Sequence, residues 1–131
     1  KKKATREDPS RVINIGSIDG IGTPVFETYP YSASKASVHH MTRVLAARLV
    51  RENILVNAIA PGPFPSDMLG SAVAHNYEGI ISRNPVHRMG RAEDVGGLAL
   101  YLSSKAGSYT VGETITCDGG TISATGHDLS E

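Results

Sequence analysis

The chain has 131 residues, with 13 Lys and Arg balanced by 13 Asp and Glu, so its formal net charge is zero. That length holds one domain with a real core and is too short for two, and the charge balance excludes polyelectrolyte binding to nucleic acid. One cysteine, Cys117, excludes an internal disulfide framework, and no apolar run approaches the about 18 residues of a membrane span.

The absence of a secretory pattern and the lone thiol point to a reducing, cytoplasmic setting. Aliphatic residues dominate the apolar content, Trp is absent and Gly is frequent. That mix fits an α/β protein. The first ten residues, "KKKATREDPS", are almost all charged or polar and lack an initiator Met. They read as a solvated helix end or loop, as a basic tail with an electrostatic role, or as the cut edge of a longer protein.

"RVINIG" (Arg11 to Gly16) is a short β-branched run closed by Gly and Ser, and reads as a buried strand. "SIDGIGTPVFETYP" reads as loop. From Ser32 the pattern becomes helical, to about residue 50. Val38, Met41, Leu45 and Leu49 share one face, widened by Val44 and by Ala36 to Ala47. Arg51 suits the negative end of that helix, and Asn53 suits its stop.

"ILVNAIAPG" (Ile54 to Gly62) is apolar on both alternating faces, as expected of a strand covered on both sides in a parallel sheet. Strand, helix and strand then make a βαβ unit. "PGPFPSDM" breaks regularity with three prolines. Residues 69–90 are weakly patterned, with a short helix predicted over Leu69 to Ala74. "RAEDVGGLALYLSS" (Arg91 to Ser104) predicts a second helix striped by Ala92, Val95, Leu98, Ala99 and Leu102. Its Gly96 and Gly97 each cost about 1 kcal/mol against Ala, which reads as room for close packing. A last strand spans Thr114 to Cys117. Three strands and two main helices amount to the second half of a Rossmann-like doubly wound sheet.

The chemistry starts at "YSASK". Tyr31 and Lys35 stand at i and i+4 on one helix face. A cation about 4–6 Å from a phenol favours the phenolate, and the positive end of the helix dipole acts in the same direction. The pair is therefore suited to proton transfer near neutral pH. Ser17 ends the preceding strand, at the sheet edge where parallel sheets bind ligands. Its hydroxyl can donate to a carbonyl held beside Tyr31. By itself the pair also reads as a surface tyrosine beside a solvated lysine.

The wider set of motifs is strand-Gly-Ser, Tyr-x-x-x-Lys, "NAIAPG" and a closing "DGG". Over residues 11 to 120 this set resembles the short-chain dehydrogenase/reductase family. The resemblance implies an NAD(P)-dependent oxidoreductase interconverting a ketone and a secondary alcohol, with NADP favoured. Ser17 would orient and polarise the carbonyl. Tyr31 would be the acid in reduction and the base in oxidation. Lys35 would lower the tyrosine pKa and bind the nicotinamide ribose. Pro61, Gly62, Pro63 and Phe64 would wrap the nicotinamide, with Ser66 standing where the family usually has Thr. "INIGS" and "PGPFPSDM" are most similar to β-ketoacyl reductases of the rhamnolipid type, which implies a 3-oxoacyl thioester. Sugar or polyol dehydrogenases and steroid-type reductases compete with that reading. The resemblance also implies a homodimer or homotetramer built through the two helices and the last strand.

The family's glycine-rich phosphate loop is not in these 131 residues. "GSIDGIG" follows a strand but leads into a Pro-rich loop and not into a helix N-terminus. The chain is thus expected to be a partial catalytic domain, residues 1–131, without the dinucleotide phosphate-binding half. As it stands, it would then act alone only as an oligomerisation or binding module.

The remaining candidates read as structural. His39 and His40 point about 100° apart and are expected at the surface or an interface. His75, His87 and His127 lack metal-ligand spacing, so no metal is expected. Cys117 reads as a buried thiol, Asp118 as a turn former and Asn57 as a structural hydrogen-bonder. Phe64, Met68, Leu69 and Met89 border the irregular region, as core or as pocket lining.

Overall fold

The computed structural model describes residues 3–24, 26–66 and 77–124. Its regular elements are β1 (Ser10–Ile15), α1 (Tyr29–Leu49), β2 (Ile54–Pro61), α2 (Ala92–Ser103) and β3 (Thr114–Cys117). Short 3-10 turns at Ile18–Gly20, Val50–Glu52 and Lys105–Gly107 join them. The sheet runs β1-β2-β3 and is parallel throughout. Ile15 pairs with Ile59, and Pro61 pairs with Cys117. The carboxyl ends of all three strands therefore gather at one edge, where a parallel sheet leaves its ligand crevice.

β2 is the centre of the core. Every residue from Leu55 to Ala60 is buried, so both faces of the strand are covered. Val56 and Ile59 are fully enclosed, and Leu102 of α2 joins them. Each such side chain contributes about 1.5–3 kcal/mol by leaving water. β1 is paired on one side by β2, and its Val12 and Ile15 are exposed.

The long helix starts three residues earlier than its periodicity predicts. Pro30 lies in its first turn, where a missing N–H costs nothing and a fixed φ favours the helix. Its end is as expected: Asn53 takes the left-handed conformation at φ 58°, and its N–H closes on the Val50 carbonyl. The predicted apolar stripe is rotated, however. Met41 and Val44 are exposed, whereas the buried residues of α1 are His39, Thr42 and Ala46. The inward face is polar and small because it lies close to backbone and meets it through hydrogen bonds.

The short helix expected over Leu69 to Ala74 lies outside the described residues. Residues 77–82 are helical, although the sequence pattern there did not indicate it. α2 follows its prediction to within a residue at each end, but Gly96 and Gly97 do not serve close packing within this chain. Among the described residues, a methyl group at either would meet no atom within 4 Å beyond the helix's own backbone. The structural readings of Asn57 and Asp118 match their bonds. Asn57 donates to the Thr110 carbonyl and accepts from the Glu113 N–H. Asp118 accepts the N–H groups of Gly120 and Ile122, fixing the "DGG" turn. Asn84 braces that turn by donating to the Asp118 carbonyl.

Candidate active site

Three side chains of α1 tie it to the end of β1. Lys35 Nζ donates to the Ile15 carbonyl at 3.1 Å. The Ser17 N–H donates to His39 Nε2 at 3.3 Å. Asn14 Nδ2 donates to Thr42 Oγ1 at 2.9 Å, and that hydroxyl in turn donates to the Val38 carbonyl. Positions 35, 39 and 42 follow helical spacing, so one face of α1 carries all three ties.

That face puts the predicted trio at one edge of the sheet. Tyr31 lies one turn before Lys35, whose ammonium is 5.5 Å from the phenol ring centre. Ser17 is buried and caps the Ile18–Gly20 turn, its Oγ accepting the Asp19 N–H at 3.2 Å. A serine hydroxyl that accepts one bond keeps its own hydrogen to give. Burial raises the pKa of the Asp19 carboxyl on the same turn. Gly20 is required here, since a Cβ would stand 2.6 Å from the backbone of Lys35 and Ala36. Its absence lets the serine turn lie directly on α1.

The second predicted group follows β2. Gly62 N–H donates to the Cys117 carbonyl, and Gly90 N–H donates to the Pro63 carbonyl. Pro63 and Phe64 line an open cleft of about 330 Å³ whose other walls include Arg88, Asp94 and Cys117. Pro61, Gly62 and the serine trio lie outside that cleft. Ser66 is exposed just beyond it. Met89 is buried as a core residue, whereas Met68 and Leu69 lie outside the described residues. Arg88 forms a two-pronged ion pair with Asp94, with N–O distances of 2.7 and 3.0 Å. The Arg88 bond and the Arg91 N–H lower the Asp94 carboxyl pKa to about 2. The pair anchors the start of α2 beside the cleft.

His39, expected at the surface or an interface, is instead 4% exposed within the chain itself. The signal for it was present in the spacing 35, 39, 42, 46, but an apolar template passes over a face built from Lys, His, Thr and Ala. His40 is exposed, near Arg43.

The chain matches known proteins over most of its length. The family model described as "Enoyl-(Acyl carrier protein) reductase" matches residues 1–122. A rhamnolipid-biosynthesis 3-oxoacyl-[acyl-carrier-protein] reductase from Pseudomonas aeruginosa is 42% identical over 92% of this chain and 48% of its own length. A 3-oxoacyl-[acyl-carrier-protein] reductase of Rickettsia felis is 38% identical over 92% of this chain and 50% of its own. Among solved structures, the RhlG/NADP active-site complex of P. aeruginosa superposes with TM-score 0.83 at 44% identity, over 90% of this chain and 48% of that one. Acetoin dehydrogenase from Enterobacter cloacae gives TM-score 0.75 at 32% identity, over 93% and 47%. The chain spans about half the length of these relatives.

Proposed function

Since the chain belongs to the short-chain dehydrogenase/reductase family, we propose that it carries the proton-transfer half of an NAD(P)-dependent enzyme interconverting a ketone and a secondary alcohol. The observation that supports this reading is the Lys35 ammonium, bonded to the Ile15 carbonyl two residues before Ser17 and 5.5 Å from the centre of the Tyr31 ring.

The nicotinamide, when bound, supplies or accepts the hydride. Residues of this chain do the rest. The Ser17 hydroxyl donates to the carbonyl oxygen and orients it. The Tyr31 hydroxyl gives its proton to that oxygen in reduction and takes it back in oxidation. The Lys35 ammonium stabilises the negative charge left on the phenol oxygen. Pro61 to Phe64 and Ser66, just past β2, would hold the nicotinamide end, and Tyr31 and Lys35 the ribose beside it. The backbone bonds of Gly62 to Cys117 and of Gly90 to Pro63 hold this loop in place for that end of the cofactor. For the pyrophosphate the described residues offer no cradle, because Gly16 and Ser17 lead into a single 3-10 turn that ends at Gly20, and not into a helix. Turnover therefore needs a nucleotide-binding half outside these 131 residues, and this chain is the catalytic half-domain. NADP is favoured, on the strength of the P. aeruginosa complex.

For the substrate we favour a 3-oxoacyl thioester, since the two reductases just described act on acyl-carrier-protein thioesters by name. A small hydroxyketone, sugar or polyol is the competing class. The test is NADPH oxidation by the full-length enzyme with a 3-oxoacyl thioester, a 2-enoyl thioester, acetoin and a polyol panel. Tyr31→Phe should lose about 100-fold or more on whichever is turned over. Retention of most activity by that variant would remove the mechanism.

A second reading has one observation in its favour, the missing phosphate cradle. On that reading these residues alone form an oligomerisation module through the exposed Met41 and Val44 face of α1. Dimerisation of the isolated chain without NADPH binding would support it.

A further inference from the structure

His39 is a buried imidazole with no role in the proposed reaction, yet it touches the backbone of Ser17. Its Nε2 accepts the Ser17 N–H at 3.3 Å. A nitrogen that accepts an amide hydrogen carries none, so the proton of the neutral ring is on Nδ1. Nδ1 is buried, and the Gly20 carbonyl that interacts with the ring falls outside strict hydrogen-bond geometry to it. The ring also fills the space beside Gly16, where any Cβ would collide with it, and its Cε1 would lie 3.0 Å from a Cβ at Gly20. His39 therefore contacts the segment from Gly16 to Gly20 at both ends of the serine turn.

We propose that His39 is a positioning residue for Ser17: its neutral ring holds the Ser17 amide and so fixes where the serine hydroxyl is presented. This rests on the reading of Ser17 as the residue that orients the carbonyl. Among the described residues, the Ser17 hydroxyl is held by one local bond, to Asp19 N–H within its own turn. The Gly16 N–H is tied to Ile59 of β2 and Gly20 packs on the backbone of Lys35 and Ala36; the constraint that α1 places on Ser17 itself comes through His39. Without an acceptor, the Ser17 N–H becomes an unpaired buried donor, and a small shift of the hydroxyl is costly for reaction geometry.

The arrangement is also sensitive to pH. A protonated ring would turn Nε2 from an acceptor into a donor facing another donor. Burial lowers the His39 pKa from its ordinary value of 6.5; the Gly20 carbonyl opposes this, and Arg43 and Lys35 on α1 add to the lowering. Asp19 is the acid on the adjoining turn. β2 carries no titratable side chain, and the only one on β1, Arg11, is at its opposite end. The neutral form is thus favoured by folding. Its contribution is complete above pH 6.5 and is lost as pH falls through the lowered native value.

The first experiment is a long-range 1H–15N spectrum of the full-length protein with 15N-labelled histidine. His39 should show the Nδ1–H tautomer and should not titrate at 6.5. An Nε2–H ring, or one titrating at the ordinary value, overturns the proposal. The second is kinetic. His39→Leu should lower kcat about tenfold or more with KM for NADPH unchanged. His39→Gln, which keeps an acceptor, should restore most of it and lose the acid limb of the pH profile. Adding His39→Leu to Ser17→Ala should cost nothing further; additive losses overturn the proposal. Full activity in Ser17→Ala alone would instead sink the underlying role of Ser17, while the tautomer result would still stand or fall by itself. Should His39→Leu not fold, the wild-type spectrum decides.

Discussion

The Lys35 ammonium donates to the carbonyl oxygen of Ile15 across 3.1 Å. This bond joins the helix that carries the phenol to the strand that leads to the serine. Lys35 is thereby held one turn from Tyr31, so its position is set by the sheet as well as by the helix.

From this we expect Lys35→Met in the full-length enzyme to lower kcat/KM about 100-fold or more, with a stability change within about 1 kcal/mol, since Lys35 is only part-buried. Lys35→Arg should not recover activity, because a planar fork is unlike a compact ammonium. Steady-state kinetics and a denaturant melt of each variant separate the two effects.

The Arg88–Asp94 pair should appear in acid. The Asp94 carboxyl is lowered from 3.8 to about 2 by Arg88 first and by the Arg91 N–H second. A depressed carboxyl contributes stability that is present above 3.8 and lost as pH falls through about 2. The side chains are 39% and 32% exposed, so salt should screen the pair. Melting temperature against pH should fall less steeply between 4 and 2 for Asp94→Asn than for the unsubstituted protein. Equal slopes would show that the pair is not coupled to folding.

Gly96 and Gly97 have open space where a methyl would go. Gly97→Ala, on the exposed side, should stabilise the chain by up to about 1 kcal/mol through helix propensity alone. Gly96→Ala should follow it. A loss of stability in either, measured by denaturant unfolding, would reveal a neighbour on this face, and a changed elution volume would identify that neighbour as a second copy.

Cys117 ends β3 beside the cleft, and burial raises its thiol pKa. The thiolate is the reactive form. Alkylation at pH 7.5 should therefore be slower in the native protein than in urea, about tenfold or more. Labelling followed by intact mass spectrometry measures it, and equal rates would mean the thiol is open to solvent.

Much of this was legible from residue order. β2 was predicted from "ILVNAIAPG" because a strand buried on both faces has no polar alternation to confuse it, and Leu55 to Ala60 are all enclosed. Asn53 was read as a stop because its residue type tolerates the left-handed conformation that it adopts. The apolar stripe of α1 misled, because Met41 and Val44 point outward while His39 and Thr42 point in. Gly96 and Gly97 meet no neighbour among the described residues for a related reason: what a glycine is near cannot be counted along a helix.

What the sequence alone determined is local chemistry and period. Tyr31 and Lys35 share a face because 3.6 residues make a turn, Ser17 follows a strand because a β-branched run ends at Gly16, and three strands are parallel because long helices must connect them. Only the tertiary structure decided which face of α1 is turned inward. That choice depends on groups far along the chain, namely the Ile15 carbonyl, the Ser17 amide and the Asn14 side chain. A histidine and a threonine are buried there, and a lysine half-buried, because each meets a partner that no pattern of hydrophobicity records.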